Sequence, residues 1–174
     1  GIWDAKLGRQ SATGDKVKEG DEITPSGSFY VCTRNDKSKY YLALGLSYPN
    51  IEDAQRGLST GLITQEQYQA IVDANKAGVT PPWDTPLGGA IEIHGNQGDR
   101  GTAGCIAMTN DVMDILCSRC TGDYRAVTDL NGQKNRWNVK GNKRNNGTRN
   151  RFKRNIRWKA VQFLRYGKSR LRRL

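Results

Sequence analysis

Charge in this chain is divided along its length. Residues 1 to 130 hold all 17 acidic residues against 12 basic ones, a net of −5, whereas residues 131 to 174 hold 16 basic residues and no acidic one, a net of +16. A mildly acidic domain is therefore joined to a strongly basic tail, and the overall pI near 9.7 describes neither part. A chain of 174 residues and 19.4 kDa has room for one domain of ordinary size with a true core, plus an appendage. We expect the domain over residues 1–120 and the tail over 121–174, with the N-terminal strands of the domain incomplete. The longest apolar run, at 40 to 44, falls far short of the ~20 residues a membrane helix needs. No basic, apolar leader opens the sequence, which starts at Gly1, so a signal peptide is expected to be absent or already removed.

Within the domain the pattern changes several times. Residues 14 to 27 are rich in turn formers, with Thr24-Pro25-Ser26-Gly27 reading as a tight turn. Residues 28 to 33 alternate aromatic and β-branched side chains and predict a strand, 34 to 37 a polar connection, and 40 to 46 a second strand buried on both faces. Asn50, followed by Glu52 and Asp53, predicts the capped start of a short helix that Gly57 stops. Thr64 with Gln67 fits a capping box for a helix whose buried face carries Tyr68, Ile71 and Val72 and which ends at Gly78. Three prolines between 81 and 86 exclude a regular element, and Trp83 among them reads equally as core or as the floor of a substrate groove. A strand over 90 to 94 places Ile91 and Ile93 on one face and Glu92 and His94 on the other. A Gly-rich loop, a short strand over 105 to 108 and a helix over 111 to 116 capped by Asn110 complete the domain.

The one histidine of the chain, His94, stands at the end of that strand, followed by Gly95, and Cys105 follows Gly104 at the end of the loop. A thiol attacks only as thiolate, and at its ordinary pKa of ~8.5 it is mostly protonated at neutral pH. An imidazole within hydrogen-bond reach is the natural acceptor for that proton. Glycine before the cysteine lets a substrate approach the backbone and leaves N–H groups to meet a developing oxyanion. The competing interpretation makes His94 a strand end and Cys105 a small buried side chain. The other cysteines carry a weaker signal. Cys117 and Cys120 have CxxC spacing, open to zinc, to a redox pair, or to two incidental or disulfide-capable thiols, and a zinc site lacks ligands beyond Cys32, Cys105 and His94.

The run IEIHG at 91 to 95 with GTAGCIAMTN at 101 to 110 resembles the active-site signature of the L,D-transpeptidase catalytic domain. GDKVKEGDEITPSGSFYV, YYLALGLSYPNIEDAQRGLSTGLITQEQYQAIV and PPWDTPLGG resemble further stretches of the same family, and the likeness covers roughly residues 8 to 116. Ala103 stands where many members carry a second histidine, which leaves His94 as the sole candidate base. The resemblance implies a mainly β fold, an L,D-transpeptidase-like β-sandwich or barrel with short helices, followed here by the basic tail. It implies a cysteine enzyme of the periplasm or cell envelope that forms 3-3 cross-links between peptidoglycan stem peptides through a thioester. L,D-carboxypeptidase or endopeptidase activity, an antibacterial effector role, and a catalytically impaired polyanion-binding module are the alternatives. Cys105 would be the nucleophile, His94 the base, Gly104 with Cys105 the oxyanion donors, and Thr102 the residue shaping the turn. Gly95 and Trp83 would line the substrate site. No cofactor or metal is required, and carbapenem-type inhibitors are expected to acylate the thiol.

In the tail, Asn, Gly, Lys and Arg dominate, with aromatic residues scattered among them, and residues 156 to 166 fit a basic amphipathic helix. A polyanion-binding arm, an anchor to anionic envelope material, and a solvated tail all suit that composition.

Overall fold

The structure is a computed structural model that describes residues 3–119 and, as backbone strands, 124–128 and 162–165. Its elements in chain order are β1 (Gly27–Ser38), β2 (Tyr41–Leu46), α1 (Ile51–Ser59), α2 (Gln65–Ala77), β3 (Glu92–His94), β4 (Ile106–Ala107), α3 (Asn110–Arg119), β5 (Tyr124–Thr128) and β6 (Gln162–Arg165). The strands form one mixed sheet in the order β4-β3-β2-β1-β5-β6, in which only β3 and β4 run parallel. With three short helices, of which α3 packs on β2, the sheet agrees with the mainly β expectation. No helix among the described residues is long and apolar enough to cross a membrane.

Strand β1 is the shared element. Its first residues, Gly27 to Tyr30, pair with β5, and Val31 to Ser38 pair with β2 through two register shifts. The polar connection expected over 34 to 37 is therefore strand, with Arg34 opposite Leu44 and Asn35 opposite Ala43. Its side chains are exposed, so the backbone ladder to β2, not an apolar face, holds these residues extended. At the other edge, residues 162 to 165 are strand, not part of the expected helix over 156 to 166. A short isolated helix is marginal in water, whereas the edge of β5 offers ladder partners. The remainder of the tail, with the polyanion, anchor and solvated-tail readings of it, and Cys120, lies outside the described residues.

Both expected helix starts form. Asn50 and Asp53 make reciprocal capping bonds, as do Thr64 and Gln67, and Gly78 ends α2 in the left-handed region. Gly57 does not stop α1, which runs through it to Ser59. A Cβ there would sit 3.1 Å from Leu87 Cδ2 and 3.3 Å from Ile63 Cγ1, so the glycine serves close packing instead. Helix α3 also outruns its expected end, because Leu116 and Cys117 continue the stripe that Val112 and Met113 bury in the core.

The main core joins Phe29, Leu44, Leu46 and Tyr48 to Ile91, Ile93, Ile106 and Met108 beneath α3. Each such side chain withdrawn from water contributes about 1.5–3 kcal/mol. A second cluster, Ala54, Ile63, Ile71 and Leu87, packs α1 against α2. Ile93 and Ile106 are register partners and both fully buried, which fixes which face of the β3/β4 pair is turned inward and which carries Glu92 and His94.

Candidate active site

His94 closes β3 because the chain turns sharply behind it. A Cβ on Gly95 would lie 2.6 Å from Asn110 Oδ1 and 2.8 Å from the Tyr40 carbonyl oxygen, a space that only glycine leaves open. The Asn110 side chain accepts from Asn96 N at 2.8 Å, so it ties the turn down and does not cap its own helix as expected. His94 is 5% exposed. Its Nδ1 lies 2.8 Å from the Gly95 carbonyl oxygen, and its ring stacks on that of Tyr40 with centroids 4.4 Å apart and planes 26° apart. A carbonyl only accepts, so Nδ1 carries a proton, and in the neutral ring Nε2 keeps the lone pair.

Cys105 is reached through a turn that Thr102 organises. The Thr102 hydroxyl donates to the Cys105 carbonyl at 2.6 Å and accepts from Gly104 N–H at 3.1 Å. Gly104 has φ +133°, a conformation other residues rarely adopt. The Thr24 hydroxyl is a second, longer donor to the Cys105 carbonyl at 3.4 Å and itself accepts from Gly8 N at 2.8 Å. Gly104 N–H is thus engaged by Thr102, whereas Cys105 N–H has no hydrogen-bond partner among the described residues. Far from being loose, the loop before Cys105 is pinned: Thr102 N donates to Leu7 O, Arg9 N to Thr102 O and Gln97 N to Met108 O.

The thiol is half-buried and donates to the Ala90 carbonyl at 3.6 Å. Burial pushes the Cys105 thiol up from its ordinary range. The Glu92 backbone amide and the Lys16 ammonium act against that rise, and the Glu92 carboxylate adds to it. Among the described residues no hydrogen bond joins Cys105 Sγ to His94: the thiol is turned to Ala90 and the imidazole to Gly95 and Tyr40. The register nevertheless sets both on one side. Ile93 pairs with Ile106 and His94 with Ala107, so Cys105, one step before Ile106, falls beside Glu92 on the face opposite the two isoleucines.

Trp83 lies further along the same strands. It packs across Gly89, where a Cβ would stand 2.3 Å from its own Cβ and Cγ, and reaches Gly45, the register partner of Glu92. Its indole N–H and the Thr85 hydroxyl are buried with no partner among the described residues. Lys16, buried beneath the site, bonds Asp21 at 2.7 Å and the Lys18 carbonyl at 2.9 Å.

The motifs did not single out Tyr40, Thr24 or Lys16. Thr24 stands within a recognised turn, and Lys16 and Tyr40 within quoted stretches, but nothing local in Tyr40 signals its place on the imidazole.

The family model of the L,D-transpeptidase catalytic domain matches residues 3–128. That span begins before and ends beyond the motif likeness over 8 to 116. Among solved structures, the chain is similar to a mutant of the helical cell shape determining protein Pgp2 from Campylobacter jejuni, at 25% identity and a TM-score of 0.43. The similarity covers 69% of this chain and 34% of that one, so the chain spans about a third of that protein's length. No curated protein matches the sequence.

Proposed function

Since the chain belongs to the L,D-transpeptidase catalytic-domain family, whose members modify peptidoglycan, we propose that it exchanges or trims peptidoglycan stem peptides with Cys105 as nucleophile. The observation that carries this reading is the bond from His94 Nδ1 to the Gly95 carbonyl, which leaves Nε2 as a free base on the face that also bears Cys105. A thiol that burial keeps protonated needs such a base.

The reaction begins when the Cys105 side chain leaves the Ala90 carbonyl and turns to His94. Nε2 takes the thiol proton, and sulfur attacks the carbonyl that joins the L-centre of diaminopimelate to the terminal D-alanine. The oxyanion is held by the unpartnered Cys105 N–H. Collapse expels the D-alanine amine, which takes the proton back from His94 and leaves a thioester on Cys105. An amine from a neighbouring stem then attacks to give a 3-3 cross-link, and water attacks to give carboxypeptidase or endopeptidase products. In this reading the protein works in the periplasm or cell envelope, a carbapenem acylates Cys105, and the family's sandwich is completed around the sheet. The +16 of residues 131–174 favours attachment to a polyanion, to be tested by salt-dependent retention of the full chain on heparin.

Incubation with disaccharide-tetrapeptides followed by mass spectrometry tests the chemistry. Dimers or D-alanine loss are expected from the parent chain and neither from Cys105→Ala; full turnover by Cys105→Ala would sink the assignment. In His94→Ala, alkylation of Cys105 by iodoacetamide should be slow at pH 7 and rise only above the ordinary thiol range, because burial raises the pKa and the reactive form is the deprotonated one. An unchanged rate at pH 7 would remove His94 from the role of base.

A further inference from the structure

We propose that Tyr40 is a positioning residue for the His94 imidazole, an inference that rests on the reading of His94 as the base. Tyr40 stands in the hairpin turn between β1 and β2, where Ser38 pairs with Tyr41. The turn is fastened on several sides. Tyr40 N donates to Ser38 Oγ at 3.1 Å, Asn96 Nδ2 donates to the Lys39 carbonyl at 3.4 Å, and Tyr41 OH donates to Asp114 Oδ1 of α3 at 2.8 Å. Beneath it, the missing Cβ of Gly95 admits the Tyr40 carbonyl.

So held, the Tyr40 ring covers one face of the imidazole. Tyr40 remains 39% exposed while His94 is 5% exposed, so the tyrosine spends its own surface in covering the histidine. The Lys39 ammonium lies 5.0 Å from the Tyr40 ring centroid, a further tie on the ring's orientation. The two restraints on His94 are complementary. The Nδ1 bond to Gly95 fixes the tautomer and the rotation of the ring in its own plane; the stack resists tilting out of it. A single hydrogen bond at Nδ1 leaves the ring free to rock about that contact, and rocking swings Nε2, the atom that must meet the Cys105 proton. Tyr40 acts by removing that freedom and by keeping water off the covered face. It touches neither thiol nor substrate in this role.

Because the chain has one histidine, the ring resonances of His94 are unique in a proton spectrum. In the parent protein, nuclear Overhauser effects should join the His94 and Tyr40 ring protons, and their absence would overturn the proposal without any variant. In full-length Tyr40→Ala, with fold verified by its amide spectrum, the His94 ring protons should move downfield as the ring current is lost. The kcat on disaccharide-tetrapeptide should fall roughly tenfold to a hundredfold with KM nearly unchanged, the signature of a misplaced reacting group. Tyr40→Phe keeps the ring and should retain both the shifts and kcat. Unchanged His94 resonances and kcat in Tyr40→Ala, or a loss in Tyr40→Phe as deep as in Tyr40→Ala, would refute the role. The failure of the underlying reading looks different: His94→Ala would then keep the parent kcat, whatever Tyr40 does to the spectrum.

Discussion

Thr102→Val removes one hydroxyl at nearly constant volume and leaves the β-branched shape of the side chain. The backbone bonds of Thr102, to Leu7 O and from Arg9 N, are untouched. What disappears is the 2.6 Å donation to the Cys105 carbonyl and the acceptor for Gly104 N–H at 3.1 Å. The two losses are unequal. The Cys105 carbonyl keeps Thr24 Oγ1 at 3.4 Å, whereas Gly104 N–H, on a buried residue, keeps no partner among the described residues. A net hydrogen bond contributes about 0.5–1.5 kcal/mol, and an orphaned buried donor costs about 1–3 kcal/mol. The expected destabilisation is therefore about 3 kcal/mol, a fall of roughly 6–12 °C in Tm for a chain of this size. Urea unfolding of parent, Thr102→Val and Thr102→Ser measures it: the valine variant should lose midpoint with an unchanged slope, and serine should recover most of it. Turnover should fall with stability in valine, since the Cys105 backbone is what the hydroxyl holds. A valine variant within about 0.5 kcal/mol of the parent would refute the claim that this turn is held by its hydroxyl.

Other substitutions probe the charges buried within the domain. Burial raises Asp53 from 3.8 to about 6, with the Asn50 amide and Arg56 acting against the rise. The folded state then holds a proton that the unfolded state releases, so this group's contribution to stability is full below about pH 4 and is lost as pH rises through about 6, by ~3 kcal/mol. Asp53→Asn should flatten that decline in urea midpoints taken between pH 4 and 7; a slope equal to the parent's would show that another group sets it. Lys16→Met strips the cation from a pair in which Asp21 is also buried, and removing one partner of such a pair costs about 3–5 kcal/mol. The thermal midpoint should drop accordingly. Adding Asp21→Asn should return part of the loss, because it removes the unpaired carboxylate while its one amide oxygen, in the place of Oδ2, still accepts from Val17 N and Lys18 N, and only Ile23 N, which donates to Oδ1, loses its acceptor. No drop at all in Lys16→Met would mean the pair is replaced by water.

Features coded by neighbouring residues were legible in the sequence. The Thr64/Gln67 box, the Asn50 cap and the Ile91/Ile93 alternation each involve residues within a few positions, and the structure realises all three. The motifs likewise drew attention to His94, Thr102, Gly104 and Cys105, and the register sets His94 and Cys105 on one face of β3 and β4, with Thr102 and Gly104 in the turn that leads into Cys105. Illegible features depend on partners distant in the chain. Arg34 and Asn35 look like part of a connection until β2 is there to pair with them. Thr24 donates to a carbonyl 81 positions away, and Tyr40 meets His94 only after a hairpin has folded over β3. Gly57 reads locally as a helix stop because propensity cannot foresee Leu87 and Ile63 pressing on it.

The same distinction bears on how the thiol is placed relative to the imidazole. Strand β4 is 2 residues long and β3 is 3, so their ladder alone does little to fix register. A slip of one position would exchange the faces of β4, carrying Ile106 out of the core and turning Cys105 away from the side that bears His94. What prevents the slip is core packing together with bonds beyond the two short strands. Ile93 and Ile106 are locked together in the core, and Met108 N donates to His94 O. On the far edge, Lys6 exchanges two backbone bonds with Ala107, and Leu7 and Arg9 clasp Thr102. Residues 3 to 9 carry no obvious chemical signature, yet they form the outer rail along which the Cys105 turn is aligned. Loosening that rail would move the Cys105 sulfur while leaving His94 and Cys105 themselves intact, so in the proposed reaction the N-terminal segment bears on turnover as directly as the motif does.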